Sequence, residues 1–224
     1  MGNENSQMKN IIIDDKYAEK CNNCLLYDGN LKDSNQKITI FEEESNVGSQ
    51  QGYLLDNPLS QNIKNLKIYR HPSAIVKYFG SYKKNSSLAL VTERVKSLNS
   101  VLSTQTEIQI CLGIRNILSS LIFLVESANC RHLNITISSV FVTENNTWKL
   151  LGFEHVFKSN EVTKVLLQKS KSFRSHDSID PNEDSGVGLE QYAFAVFCEH
   201  IIKKDSKYIL KMLSQRKLMN LIYF

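Results

Sequence analysis

The chain has little proline and little glycine, three and nine of 224 residues, which excludes collagen-like and proline-rich architectures. It lacks charge of one sign. Lys and Arg total 27 against 23 Asp and Glu, and a net +4 is too small and too dispersed to imply a nucleic-acid partner. It lacks an unbroken apolar run: the most apolar stretch, residues 108–125, is interrupted by Gln109, Arg115, Asn116 and two serines, so it is not expected to cross a bilayer. A secretory h-region is absent, and Cys21, Cys24, Cys111, Cys130 and Cys198 form an odd set, so reduced cytosolic thiols are expected. On that expectation the sequons at Asn134 and Asn145 carry no meaning. No second C-x-x-C or H-x-x-x-H accompanies Cys21 and Cys24, which read as two small residues near a turn instead of half a zinc site. The histidines at 71, 132, 155, 176 and 200 share no metal spacing, and no G-x-S-x-G or Cys–His signature points to a hydrolase.

Apolar residues make up 42% of the chain and charged residues 22%, enough of each for a globular protein of one or at most two domains. The first half alternates short apolar runs with turn residues. Strands are expected at 11–13, 24–27 and 38–41, with Asp28-Gly29 and the stretch 47–52 as punctuation. Pro58 opens a helix that carries Leu59, Ile63 and Leu66, and Pro72 ends it. Two more strands follow at 75–79 and 88–92. In the second half, Thr104-x-x-Glu107 reads as a capping box. It introduces a long amphipathic helix with Ile110, Ile114, Ile117, Leu118, Leu121 and Leu124 on one face. A β-pair at 140–142 and 148–151 turns at Glu144-Asn145-Asn146. A long Ser-, Lys- and Asp-rich loop spans 155–188, where residues 169–178 read as a solvated segment open to phosphorylation. A last helix then carries Tyr192, Ala193, Val196, Phe197 and Ile201.

A β-rich lobe with one helix, followed by a helical lobe holding a β-pair and a long loop, is the element order of a protein kinase. Six segments carry the resemblance in that order. Asn62 to Pro72 resembles the small-lobe helix and its following His-Pro. Leu90-Val-Thr-Glu-Arg-Val95 resembles the last small-lobe strand and the hinge. His132 to Val142 resembles the catalytic loop. Trp148-Lys-Leu-Leu-Gly-Phe-Glu154 resembles the approach to D-F-G. Residues 178–183 and 189–199 resemble the end of the activation segment and the central helix of the large lobe. The wording of 91–95, 138–142 and the Met-Gly-Asn-Glu-Asn-Ser start resembles the Scy-like pseudokinases, their ezrin-binding member most of all.

Phosphoryl transfer requires a phosphate-pairing Lys held by a Glu, an Asp that orients the acceptor, and an Asn and a second Asp for magnesium. No G-x-G-x-x-G occurs; Gly186-Val-Gly188 reads as a hinge before the last helix. By the resemblance, Glu43 stands at the lysine position, where a carboxylate repels phosphate, and Asn62 stands at that of its partner. Asn134 replaces the catalytic Asp, and no Asp or Glu occurs from 127 to 143. Thr136 replaces the catalytic-loop Lys, Ser139 the magnesium Asn, and Gly152 the D-F-G Asp. Glu154 alone does not supply the several convergent oxygens that a hard cation needs, so neither a metal nor another cofactor is expected. A bound nucleotide would have only the hinge positions Thr92, Glu93, Arg94 and Val95. His132 and Phe153 match positions that stack in the core and join the lobes.

The expected fold is thus α+β, a two-lobed kinase-like domain over 1–202 with an incomplete C-lobe, followed by a basic amphipathic tail at 203–224. In such a C-lobe Phe194 and Phe197 would lack cover. The N-terminal M-G-x-x-x-[ST] pattern marks Gly2 for myristoylation. One such chain binds membrane only at about 10⁴ M⁻¹, so a second contact is required. The resemblance implies a catalytically dead scaffold or adaptor, cytoplasmic and peripheral on Golgi or other membranes. It also implies ezrin-like protein partners, no nucleic acid, and a role in trafficking or in cell adhesion and migration. A residual ATP-binding switch or weak serine/threonine kinase, and a truncated fragment without independent function, remain as alternatives.

Overall fold

The computed structural model describes residues 11–21, 24–44, 57–84, 87–161 and 187–204. The Gly2 motif, the loop at 169–178, the segment at 178–183 and the tail beyond Lys204 lie outside the described residues.

An antiparallel five-stranded sheet forms the first lobe, in the order β1-β2-β3-β5-β4. Its strands are β1 (Ile11–Cys21), β2 (Cys24–Leu31), β3 (Gln36–Glu43), β4 (Tyr78–Lys84) and β5 (Ser87–Glu93). The two-residue period of β3 divides its side chains. Phe41 joins the main core, whereas Ile38 and Ile40 join Ala89 and Val91 in a second apolar cluster. Helix α1 (Pro58–Ile68) starts where expected. Asn57 caps it, its side-chain oxygen accepting from Leu59 N at 2.9 Å and Ser60 N at 3.3 Å, with Pro58 in the first turn.

The second lobe holds β6 (Val95–Ser97), the short α2 (Leu98–Val101), α3 (Glu107–Ile122), β7 (Cys130–Arg131), β8 (Val140–Thr143), β9 (Trp148–Leu150), β10 (Phe157–Lys158) and α4 (Val187–Lys204). Strands β6, β8 and β9 form one small sheet, and β7 pairs with β10. Buried Ile110, Ile117 and Leu121 form the inner stripe of α3, which a π-helical turn at Phe123–Ser127 extends to bury Leu124. By length and composition alone Glu107–Ser127 suffices to cross a bilayer, contrary to the sequence expectation. In this fold its stripe faces Trp148, which is fully buried and donates through Nε1 to Gln105 Oε1 at 3.2 Å.

Several boundaries differ from the sequence reading. Asp28-Gly29 lies inside β2, with Gly29 opposite both Ile13 and Ile38. A Cβ at Gly29 would come within 2.6 Å of the Ile12 carbonyl oxygen, so this glycine serves close strand approach instead of a turn. Strand β3 runs two residues past the expected 38–41, through Glu42 and Glu43. The strand expected at 75–79 is replaced by a tether. Val76 N donates to Leu150 O (3.0 Å) and Leu150 N to Ala74 O (2.9 Å), and β4 begins only at Tyr78. The capping box is Thr106 with Gln109, two residues beyond the expected pair. Thr106 N donates to Gln109 Oε1 at 2.8 Å and Gln109 N to Thr106 Oγ1 at 3.3 Å. Both registers satisfy the S/T-x-x-E/Q pattern; Thr104 is used earlier, its hydroxyl donating to Val101 O at 2.7 Å. Helix α4 runs through the expected boundary at 202/203 to Lys204.

Gly113 is where α3 meets β9 most closely. A Cβ there would stand 2.0 Å from Trp148 Cδ2, and the indole is locked by burial. Gly113→Ala therefore destabilises the protein by about 1–3 kcal/mol despite the better helix propensity of alanine. Urea unfolding followed by tryptophan fluorescence reads this directly, and an unchanged midpoint would contradict the packing of α3 on Trp148.

Candidate functional site

Between the lobes, the hinge and the face of β3 next to it are engaged by side chains of the protein itself. At the hinge, the Thr39 hydroxyl of β3 donates to Val95 O at 3.0 Å and accepts from Val95 N at 3.0 Å. Both main-chain groups that a base could read at Val95 are thereby satisfied internally. Thr92 is fully buried, its hydroxyl 2.9 Å from Glu93 O and 3.3 Å from Thr39 O. Glu93 is tied by Lys149 Nζ at 2.7 Å and by Lys77 N at 2.7 Å, and Arg94 is paired with Asp28. All four hinge residues are thus engaged by other parts of the chain.

Two residues along the same face of β3, Phe41 stands edge-on to Phe141 of β8, with ring centroids 5.2 Å apart and planes at 78°. Both rings are buried in the core that runs through the two lobes. Glu43, which the resemblance sets at the lysine position, follows Phe41 on that same face of β3. The β3 side chain facing β8 is Phe41, and Glu43 lies further out, its Oε1 accepting from Asn57 Nδ2 at 2.5 Å. A search for charged groups passed over Phe41, although strand alternation places Thr39, Phe41 and Glu43 on one face.

Asn62 does not meet Glu43. Its Oδ1 accepts from Phe153 N at 3.1 Å, while Asn65 Nδ2 donates to Phe153 O at 2.6 Å and Val156 O at 3.4 Å. The polar edge of α1 thus clasps the backbone after β9. Asn65 was missed, and its burial in the sequence Asn62-x-x-Asn65 is the signal. The remaining candidates do converge. Asn134 Nδ2 donates to Glu154 Oε1 at 2.8 Å and lies 3.4 Å from Gly152 O. Thr136 N donates to Ser139 Oγ at 3.0 Å and Ser139 N to Thr136 O at 3.0 Å, which closes the turn before β8. Gly152 has φ +83°, and a Cβ on it would lie 2.9 Å from Ser139 Cβ and 3.1 Å from Asn134 Nδ2. Any side chain at 152, an aspartate included, would be both strained and crowded. Among the described residues, no three His, Cys, Asp or Glu are grouped to hold a metal ion.

The tip of the β1–β2 hairpin folds over this loop. Cys21 Sγ lies 3.7 Å from Ser138 O as donor, and Cys24 is opposite Glu43 in the β2–β3 register. Burial, and then the charges of Cys21, Glu154 and Glu43, push the Cys24 thiol up to about 12.

Behind the loop, His132 Nε2 donates to Leu151 O at 3.1 Å, and its ring meets Phe153 edge-on with centroids 5.1 Å apart. Glu190 of α4, also buried, accepts from His132 N through Oε1 at 2.6 Å. This fastens a backbone that turns sharply, since Leu133 has φ +53°. The apolar spacing of α4 alone does not reveal Glu190; a lone acid beside the buried stripe of a helix is the signal. Burial pushes Glu190 up to about 7, against the hydrogen bond from His132, the charge of Arg131 and the hydrogen bond from Leu133. Burial also pushes His132 down to about 3. Phe194 and Phe197, expected to lack cover, are buried and stack on each other with centroids 6.3 Å apart.

A strand-rich lobe crossed by one helix, a hinge and a catalytic-type loop under it define a protein kinase-like fold. Amides, hydroxyls, phenyl rings and the carboxylates of Glu43 and Glu154 meet around its cleft. No protein-family model matches the chain. Among curated proteins it is 29% identical to the mouse (Mus musculus) protein-associating with the carboxyl-terminal domain of ezrin, over 90% of this chain and 28% of that protein. It is 23% identical to the probable inactive serine/threonine-protein kinase scy1 of Dictyostelium discoideum, over 70% of this chain and 18% of that protein. It is 26% identical to the protein kinase domain-containing protein ppk32 of Schizosaccharomyces pombe, over 82% of this chain and 30% of that protein. The crystal structure of Cex1p superimposes with a TM-score of 0.66 at 19% identity, over 90% of this chain and 37% of that one, a likeness of fold. These similarities support the resemblance to the Scy-like pseudokinase family. The chain spans less than a third of the length of each of these curated relatives.

The two buried ionisable groups give opposite pH dependences. Folded Glu190 keeps its proton up to about 7, and the unfolded chain releases it near 4.5, so stability falls as pH rises through that window. Folded His132 stays neutral down to about 3, and the unfolded chain gains a proton below 6.5, so stability falls as pH drops through that window. Between 4.5 and 6.5 the two effects offset each other. Glu190→Gln removes one of them, so the variant's unfolding free energy rises with pH across that range while that of the parent stays nearly flat. Chemical denaturation in a pH series measures both slopes; parallel profiles would contradict the assignment.

Proposed function

We propose that this chain is a kinase-shaped scaffold without catalytic activity. The observation that carries this reading is the internally engaged hinge and the β3 face next to it. Thr39 satisfies the hinge at Val95, and Phe41 packs against Phe141. Triphosphate entry would require opening a buried aromatic contact and placing anions beside Glu43 and a phenyl face, with no Lys or Arg among the described residues matched to the phosphate-pairing position. Similarity to a protein named probable inactive kinase supports the same reading.

On this reading the outer surfaces of the fold are used to hold other proteins. An ezrin-like protein is the partner class, supported by the similarity to a protein that associates with the carboxyl-terminal domain of ezrin. Acylated Gly2 would place the scaffold on Golgi or other cytoplasmic membranes, supported by the M-G-x-x-x-[ST] start. Trafficking, or cell adhesion and migration, follows as the process such an adaptor serves. The full chain, produced in a eukaryotic host and titrated with purified ezrin carboxyl-terminal domain, is expected to bind it saturably without added nucleotide. Intact mass of the same sample is expected to show loss of Met1 and gain of a myristoyl group. Absence of binding would remove the ezrin assignment, and a free Gly2 amine would remove the membrane assignment.

A further inference from the structure

Cys21 and Cys24 are the last residue of β1 and the first of β2, and they face each other directly in the antiparallel register. Directly opposed residues of such strands have Cα atoms about 4.5–5.5 Å apart. A disulfide spans about 4.4–6.8 Å between Cα atoms, so the strand register brings this pair within bridging range. Neither cysteine is in a disulfide in the structure. They also feel one another, since the charge of Cys21 contributes to raising Cys24. The other cysteines, Cys111, Cys130 and Cys198, occupy α3, β7 and α4, away from this hairpin.

We propose that Cys21 and Cys24 form a reversible dithiol–disulfide site, oxidised by exchange with a small-molecule disulfide of the glutathione type, that cross-links the hairpin tip over the loop at Ser138. The order of events follows from the two thiols. Cys24 is buried beside Glu43 and Glu154, and is the poorer nucleophile. Cys21, as thiolate, attacks one sulfur of the reagent disulfide; that S–S bond breaks and one reagent thiol leaves with a proton. Cys24 then gives up its proton and attacks the Cys21 sulfur of the mixed disulfide, releasing the second reagent thiol. Two protein S–H groups become one S–S bond, and the reagent disulfide is reduced to two thiols. Attack of a reducing thiol on the Cys21 sulfur would have to expel the poor leaving group Cys24, so re-reduction runs through attack on the Cys24 sulfur with Cys21 leaving. This site does not depend on the scaffold reading above.

The test equilibrates the purified full chain with oxidised and reduced glutathione at graded ratios, then applies acid quench, alkylation and peptide mass mapping. The expected product is a peptide with Cys21 and Cys24 bridged and lighter by two hydrogen atoms, while Cys111, Cys130 and Cys198 remain alkylated. The midpoint should lie at a severalfold less oxidising ratio for the native chain than for the same chain in denaturant, because only the fold aligns the two strands. Cys24→Ser should halt the reaction as a stable glutathione adduct on Cys21. A native chain that yields only mixed adducts, that bridges no more readily than the denatured chain, or that oxidises first at Cys111 would overturn the proposal.

Discussion

The contact on which the two halves depend is the edge-on meeting of Phe41 and Phe141, continued to the hinge by the hydroxyl of Thr39. The first lobe brings a sheet with one apolar face, and the second brings α3 and a small sheet. Neither buries its face alone. Where a kinase leaves a cleft between such halves, this chain runs a single core from Leu26 and Phe41 through Val95 and Phe141 to Trp148. A phenyl pair in this arrangement contributes about 0.5–1.5 kcal/mol beyond the area it buries.

The amide and hydroxyl side chains around the contact suit a closed core. In an open, solvated cleft, lysine and aspartate side chains are stabilised by water, by each other and by magnesium phosphate. In a closed one, each unpaired charge costs several kcal/mol. Asn62, Asn65 and Asn134 make directional hydrogen bonds to the backbone at Phe153 and to Glu154 without bringing a charge of their own. Gly152 goes further, because its backbone conformation and its neighbours leave no room for the metal-binding side chain a kinase carries there. Glu190 remains as a buried acid, and its work is mechanical: it accepts from the backbone at His132 and steadies the left-handed turn at Leu133.

How much of this was legible in the sequence depends on the range of the interaction. The element order was readable, because α1, α3 and α4 carry apolar residues at helical spacing and β8 and β9 flank a turn at Asn145-Asn146. Strand lengths were not. Asp28-Gly29 carries a turn signal, but β1 and β3 pair with β2 on both sides and override it. The box capping α3 was ambiguous by two residues because Thr104 and Thr106 both satisfy the pattern, and only tertiary placement selects Thr106. At the site, the convergence of Asn134, Ser139 and Gly152 followed from their shared loop and β-pair. Phe41 and Asn65 did not emerge, because their partners lie far along the chain: Phe141 is 100 residues on from Phe41, and Phe153 is 88 on from Asn65. A reading organised around lost charges also directs attention to Glu43 and away from the neutral ring beside it.

The central claim is that the protein's own side chains engage the hinge and the face of β3 next to it. Isothermal titration of the full chain with ATP and magnesium tests it most directly, with thermal unfolding monitored across the same titration. That engagement predicts no saturable heat and no rise in melting temperature with nucleotide concentration. Saturable binding of one ATP per chain, lost when Thr39 or Val95 at the hinge is altered, would contradict the account.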